Sequence, residues 1–241
     1  MMQIHPIHHS GFLVETARCC YLFDYYKGAL PPLSPEKPVI VFASHSHPDH
    51  YEPRIFPLLK ESGVRHISAV LSSDIFPNRH PQGVPVLTVQ PGRTYALPGG
   101  EVLDTLLSTD CGVAFVLTCG EGTLFHAGDL NDWSWPGDSD QDRAAMSRAF
   151  RAQIDKLRGT PVDEAFFPLD PRLREHTGDG LLYFLETVPR CRVWPMHYWS
   201  KPSAVYHFVE QHPEYASRIV LPPPLPGSKY DTQEVTPCHS K

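Results

Sequence analysis

An apolar run at residues 39–43, Val-Ile-Val-Phe-Ala, is followed at once by Ser44-His45-Ser46-His47-Pro48-Asp49-His50. A short β-branched run of this kind reads as a buried strand. The pattern behind it, His-x-His-x-Asp-His, sets four metal-capable side chains within six consecutive positions. A strand that ends in a loop of imidazoles is how a sheet presents ligands at its edge, so the fold must bring further partners to that edge. Neutral imidazole and carboxylate are common ligands of zinc and its neighbours. The chain carries 14 histidines; mere richness would scatter them, whereas here two alternate and an Asp-His pair follows.

The remainder of the sequence bounds the setting. With 241 residues, 41% hydrophobic and 20% charged, the chain has the material of an ordinary globular core. A net charge of −6 without any Lys/Arg run gives no electrostatic footprint for nucleic acid, and argues against such a partner. No basic stretch with an apolar core opens the chain and no apolar segment is long enough to span a bilayer, so a cytoplasmic protein without membrane attachment is the expectation. Six cysteines without a Cys-x-x-Cys pair are expected as reduced, mostly buried thiols. Nothing in the composition bears on oligomeric state.

Twenty-six prolines suit rigid loops between short elements. Residues 222–241, opening on Pro222-Pro223-Pro224, are expected to form a Pro-rich C-terminal tail, extended and poorly ordered or lying on the surface. Strands are expected at 11–15 and 20–24, joined by a short turn, then at 39–43, 66–71, 86–89, 102–107, 113–117 and 123–127. A short helix is expected at 53–60. From Asp142 the pattern changes: Met146, Phe150, Ile154 and Leu157 share one helical face, with Asp142 placed to cap it and Gly159 and Pro161 to stop it. Strands at 162–167 and 192–195 and helices at 179–188 and 203–211 complete the walk. Strands first, then alternating helices and strands, suggest two sheets face to face with helices outside, in one domain.

One loop cannot complete a metal site. Asp129 follows an apolar strand in Leu124-Phe125-His126-Ala127-Gly128-Asp129, and its two oxygens can serve one cation each. His197, in Val193-Trp194-Pro195-Met196-His197, again stands just past a short strand. Taken alone, Asp129 reads equally as a turn aspartate and His197 as a core histidine; beside the histidine loop they become candidates.

The order His-x-His-x-Asp-His, Gly-Asp, strand-end His resembles the metallo-β-lactamase fold superfamily, in particular its metal-dependent hydrolase branch with the ascorbate-phosphate lactonase-like proteins. The stretch 126–133, His-Ala-Gly-Asp-Leu-Asn-Asp-Trp, and the opening His8-His9-Ser10-Gly11-Phe12 are similar to that branch. The resemblance runs from about residue 4 to about residue 220 and implies an α+β fold, a four-layer αββα sandwich over residues 1–221. It also implies a dinuclear cleft in which His45 and His47 hold a first metal, Asp49, His50 and His197 hold a second, and Asp129 bridges them. Redox di-iron relatives, by the same resemblance, carry glutamate in place of the second histidine, which His47 argues against.

The chain departs from that pattern where a third histidine for the first metal is usual. Asp110, in Ser108-Thr109-Asp110-Cys111-Gly112, stands at the expected place, with Cys111 and His126 as alternatives. Two divalent cations, zinc foremost with manganese or iron as alternatives, would lie about 3.5–4 Å apart and lower the pKa of a shared water. The hydroxide would then attack a carbonyl or phosphoryl centre, with Asp129 or Asp49 as catalytic carboxylate orienting it and accepting its proton. The expected activity is hydrolysis of a small-molecule ester, lactone or phosphoester. An RNA or DNA phosphodiesterase, or a non-catalytic metal-binding or sensing protein, are the alternatives. Trp133, Trp135, Tyr198 and Trp199 flank the ligand loops as cleft walls or as packing. His9 is a candidate outer partner of the site. Asp170 and Arg172 read as a salt-bridged turn or as a contact for an anionic substrate.

Overall fold

In the computed structural model, which describes residues 2–226, 228 and 230, each sheet has six strands. The first holds β1 (Gln3–His8), β2 (Gly11–Glu15), β3 (Cys20–Phe23), β4 (Val39–Ala43), β5 (Ile67–Ser72) and β6 (Val86–Val89) in that spatial order. Its β1–β2 and β2–β3 pairs are antiparallel, and β3 to β6 run parallel. The second sheet is ordered β12-β11-β10-β9-β8-β7, from β7 (Thr94–Ala96), β8 (Val102–Leu107), β9 (Val113–Cys119), β10 (Gly122–His126), β11 (Glu164–Pro168) and β12 (Arg192–Met196). Here β7 to β10 are antiparallel, and β10, β11 and β12 are parallel.

Parallel neighbours need crossovers. The connection from β4 to β5 carries α1 (Ile55–Glu61), that from β10 to β11 carries α2 (Asp140–Ile154), and that from β11 to β12 carries α3 (Asp179–Thr187); α4 (Ser203–Gln211) follows β12. Strand β4 is buried on both faces, which is why it reads as an unbroken apolar run. Ile40 and Phe42 face the core between the sheets, among Phe23, Phe115 and Phe166. Val39, Val41 and Ala43 face the other way, against Ile55, Phe56 and Leu59 of α1. On the far side of the second sheet, Phe150 and Ile154 of α2 and Phe184 of α3 join the larger cluster. The layers are therefore helix, sheet, sheet, helix.

Most expected elements lie where the sequence places them. Strands β1 and β7 were not anticipated: β1 has no fully buried residue, and β7 has three residues and none buried. Helix α2 starts earlier than expected, because Ser139 rather than Asp142 is the cap: its Oγ accepts from the Asp142 N–H at 3.2 Å and donates to Asp142 Oδ2 at 2.7 Å. Leu157 lies beyond α2, in a tight turn at Asp155–Leu157. The described part of the expected tail lies along the surface, held to α4. Pro222 O accepts from Tyr206 Oη at 2.8 Å, and buried Tyr230 stacks on Tyr206. The remainder of 222–241, with Cys238, lies outside the described residues. None of the described helices is long and apolar enough to cross a membrane.

Candidate metal centre

The carboxyl ends of parallel strands converge on one edge of the sandwich, the place where open α/β sheets hold ligands. Asp24 follows β3, the His45–His50 loop follows β4, Asp129 follows β10, Asp170 follows β11 and His197 follows β12. The two sheets close tightly there. Gly112 (φ +67°) and Gly128 (φ +53°) back onto Ser44; a Cβ on Gly112 would lie 2.0 Å from Ser44 O, and one on Gly128 would lie 2.7 Å from Ser44 Cβ. Only glycine permits that approach and that backbone. Val113 N–H then donates to Ser44 O at 2.9 Å, tying the second sheet to the start of the histidine loop.

Asp129 is the hub. One of its oxygens, Oδ1, lies 3.1 Å from His50 Nε2 and 2.9 Å from His197 Nε2, and the other, Oδ2, lies 3.5 Å from His45 Nε2. His50 Nε2 and His197 Nε2 face each other at 3.1 Å. All four residues are buried. The outward nitrogen of each imidazole is tied down. His50 Nδ1 meets Asp24 Oδ2 at 2.7 Å, His45 Nδ1 meets Ser44 Oγ at 3.0 Å, and His197 Nδ1 lies 3.5 Å from Asp170 Oδ2. A carboxylate behind an imidazole fixes the tautomer that leaves the inward nitrogen as a lone pair, as behind metal-ligating histidines. Lone pairs opposed at this distance beside a carboxylate repel unless a cation sits among them.

The electrostatics agree. Burial works against charge on His50, but Asp129 and Asp24 outweigh it and raise its pKa well above the usual imidazole range. Burial would likewise raise Asp129, yet His50 and His197 pull it well below the carboxylate range. His45, buried and beside His50, drops to about 4 and is neutral at pH 7. Without metal the cluster must hold protons to balance its carboxylate; a divalent cation takes the place of those protons. His45 Nε2, His9 Nε2 and Asp129 Oδ1 are buried without a hydrogen bond, which is unspent donor capacity pointing into the cluster. Nitrogen and oxygen donors so arranged fit a divalent metal.

Among the described residues, three groups of donor atoms lie mutually within 4.8 Å: His9, Asp49, His50 and His197; His45, His50 and Asp129; and His47, Asp110 and Cys111. The expected second set, Asp49, His50 and His197, is thus brought together, with His9 added. The expected first set is divided. His45 turns inward to His50 and Asp129, while His47 stands outside with Asp110, 3.9 Å away, both side chains nearly half exposed. Ser44 Oγ holding His45 from behind accounts for the inward turn. Cys111 stands with His47 and Asp110; its Sγ lies 3.9 Å from Asp110 Oδ1. His126 does not reach the cleft: its Nε2–H donates to Ser10 O, its Nδ1 accepts from Gly128 N–H, and its ring stacks on Phe23.

Asp49 faces a cleft of about 600 Å³, lined also by His9, Tyr26, Lys27, Tyr198 and Trp199. Trp133 instead donates from Nε1 to Asp129 O at 2.8 Å and stacks on the more exposed Trp135. Asp170 is more than a turn. Fully buried, it accepts a fork from Arg172 and a bond from Trp199 Nε1 while backing His197. The sequence reading passed over Asp24 altogether. One signal could have found it: Leu22-Phe23-Asp24, like Phe125-His126-Ala127-Gly128-Asp129 and Pro168-Leu169-Asp170, ends an apolar strand on a carboxylate.

No protein-family profile matches this chain. A UPF0173 metal-dependent hydrolase from Opitutus terrae is 29% identical over 140 residues, covering 50% of this chain and 60% of that protein. The chain thus spans about 60% of the length of the curated relative it matches. Among solved structures, a candidate metal-dependent hydrolase from Parabacteroides distasonis superposes with a TM-score of 0.64 at 14% identity, covering 91% of each chain. The diiron β-hydroxylase CmlA from Streptomyces venezuelae gives 0.58 at 13% identity, over 90% of this chain and 52% of its own. Identities this low bear on the fold alone. With the layering and strand order described above, they establish that this chain has the metallo-β-lactamase fold, a four-layer αββα sandwich.

Proposed function

We propose that this protein is a metal-dependent hydrolase acting on a small-molecule ester, lactone or phosphoester. The observation that carries the reading is the buried meeting of His45, His50 and His197 on Asp129, each imidazole held from behind. The metal-dependent hydrolase from Opitutus terrae supports it at the level of the reaction class.

His45, His50, His197, Asp49 and Asp129 would hold the metal, with His47 and Asp110 at an outer position. Bound divalent cations, zinc foremost with manganese or iron as alternatives, would supply Lewis-acid polarisation of the scissile group and acidify a water. Asp49 is the carboxylate that meets the cleft. Burial would raise its pKa, but His9 and His50 outweigh that and keep it below the ordinary range. Facing the cleft, it can accept a hydrogen bond from an attacking water and orient it. Trp199, Tyr198 and Tyr26 wall off solvent on the same side, and Lys27 places one cation at the lip.

His47 favours hydrolysis over the redox chemistry of glutamate-bearing di-iron relatives. One observation favours a second reading, metal binding without turnover: the outer group His47, Asp110 and Cys111 is open to solvent rather than enclosed. A panel of a lactone, a carboxylic ester and a phosphodiester, run on metal-stripped and reconstituted protein, separates the readings. Hydrolysis that disappears on chelation, returns with metal and is absent from His50→Ala supports the hydrolase. Tight metal binding without turnover of any member supports the second reading. Salt-sensitive binding to RNA would point instead to a phosphodiesterase.

A further inference from the structure

His9 occupies the turn between β1 and β2 in the left-handed region, at φ 57°. Glycine or asparagine ordinarily fills such a position, so an imidazole kept there invites a functional account. The ring is almost wholly enclosed, with 2% of the side chain exposed. Its centroid lies 4.0 Å from that of His197 and 5.9 Å from that of His50, and Trp199 covers it at 4.4 Å. His9 Nε2 lies 3.3 Å from Asp49 Oδ2, yet it makes no hydrogen bond. A buried ring nitrogen that faces a carboxylate without a well-formed hydrogen bond, within a group of metal-capable atoms, is placed to share a cation with that carboxylate.

We propose that His9 is a direct ligand of the cation position formed by Asp49, His50 and His197, which then takes three imidazoles rather than two. The inference rests on the metal reading above and specifies one of its positions. Its alternative is that His9 only orients Asp49 through a hydrogen bond. The four donors of that group equal in number those of a tetrahedral zinc site.

The test is metal affinity by chelator competition, with manganese, cobalt and zinc as probes, on the full chain and on His9→Gln and His9→Ala. Glutamine keeps an N–H donor near the place of Nε2 but is a poor metal ligand. The proposal expects both variants to lose at least about 100-fold in affinity, the upper end of what losing an outer partner costs. It also expects the visible absorption of the cobalt-loaded protein to report fewer donors in both variants. Wild-type affinity and spectrum in His9→Gln would overturn it, leaving His9 as a positioning residue for Asp49. Should the variants misfold, cadmium-loaded wild type with labelled histidine decides by NMR: coupling from three imidazoles to one cadmium supports the proposal, and coupling from two overturns it. A wild type that binds no metal would overturn the hydrolase reading as well; two imidazoles on a bound metal would overturn this inference alone.

Discussion

Asp24 and Asp170 show how much of the candidate site depends on residues that stand behind its imidazoles. Asp24 is fully enclosed and faces three donors: Ser44 N–H at 2.7 Å, Ser44 Oγ at 2.6 Å and His50 Nδ1 at 2.7 Å. Asp24→Asn keeps the shape but offers an amide donor to at least one of these groups and removes the charge behind His50. Metal affinity is expected to fall about 10- to 100-fold, measured by chelator competition, with the fold retained. Asp24→Ala is expected to be worse, because it leaves buried donors unpaired at about 1–3 kcal/mol each; thermal unfolding separates the two variants. At this scale the histidine loop was legible because its metal-capable side chains crowd into six positions. Asp24 was not, because one carboxylate after a strand looks like any turn residue until the partner strand is known.

At the scale of elements, the site depends on two glycines that let one sheet touch the other. Gly112→Ala would press a methyl group against Ser44 O and His45 Cβ, at 2.0 and 2.6 Å, in a backbone conformation unsuited to alanine. A loss of about 2–4 kcal/mol is expected, together with weaker metal binding because His45 moves. Differential scanning calorimetry and metal titration check the two effects. Ser139→Ala, which removes the cap whose side chain bonds to Asp142, is expected to cost about 1 kcal/mol without changing metal affinity. The strands were legible in proportion to their burial. Strand β4 is buried along its whole length and declares itself, while β1 and β7, at sheet edges without a buried residue, carry no such pattern. The cap of α2 was misplaced because Ser139 and Asp142 are both capping types three residues apart; only the hydrogen bonds show which one leads.

Over the whole molecule, the two sheets repeat one plan, an antiparallel set leading into a parallel set, and the parallel ends meet at the cluster. That meeting is invisible to local pattern: His45 and His197 lie far apart in sequence and join only through sheet topology. The fold also sets the behaviour of the thiols. Burial holds Cys19 at about 12 and Cys20 at about 11, and raises Cys191 as well, so little thiolate exists at any of them near pH 8. Cys111 and Cys119 are partly accessible. Alkylation at pH 8 followed by peptide mapping is expected to mark the partly accessible Cys119 first, Cys111 more slowly because burial and Asp110 raise its thiol, and Cys19, Cys20 and Cys191 only on unfolding.

The buried His45, His50, His197 and Asp129 cluster is proposed to be a metal site. Metal content after reconstitution, compared between the wild type and an Asp129→Asn variant, tests it most directly. At least one tightly held divalent ion per wild-type chain is expected, with loss of that ion, or at least about 100-fold weaker binding, in a variant that remains folded. A wild type that retains no metal under these conditions, or an Asp129→Asn variant that holds it equally well, would contradict the account.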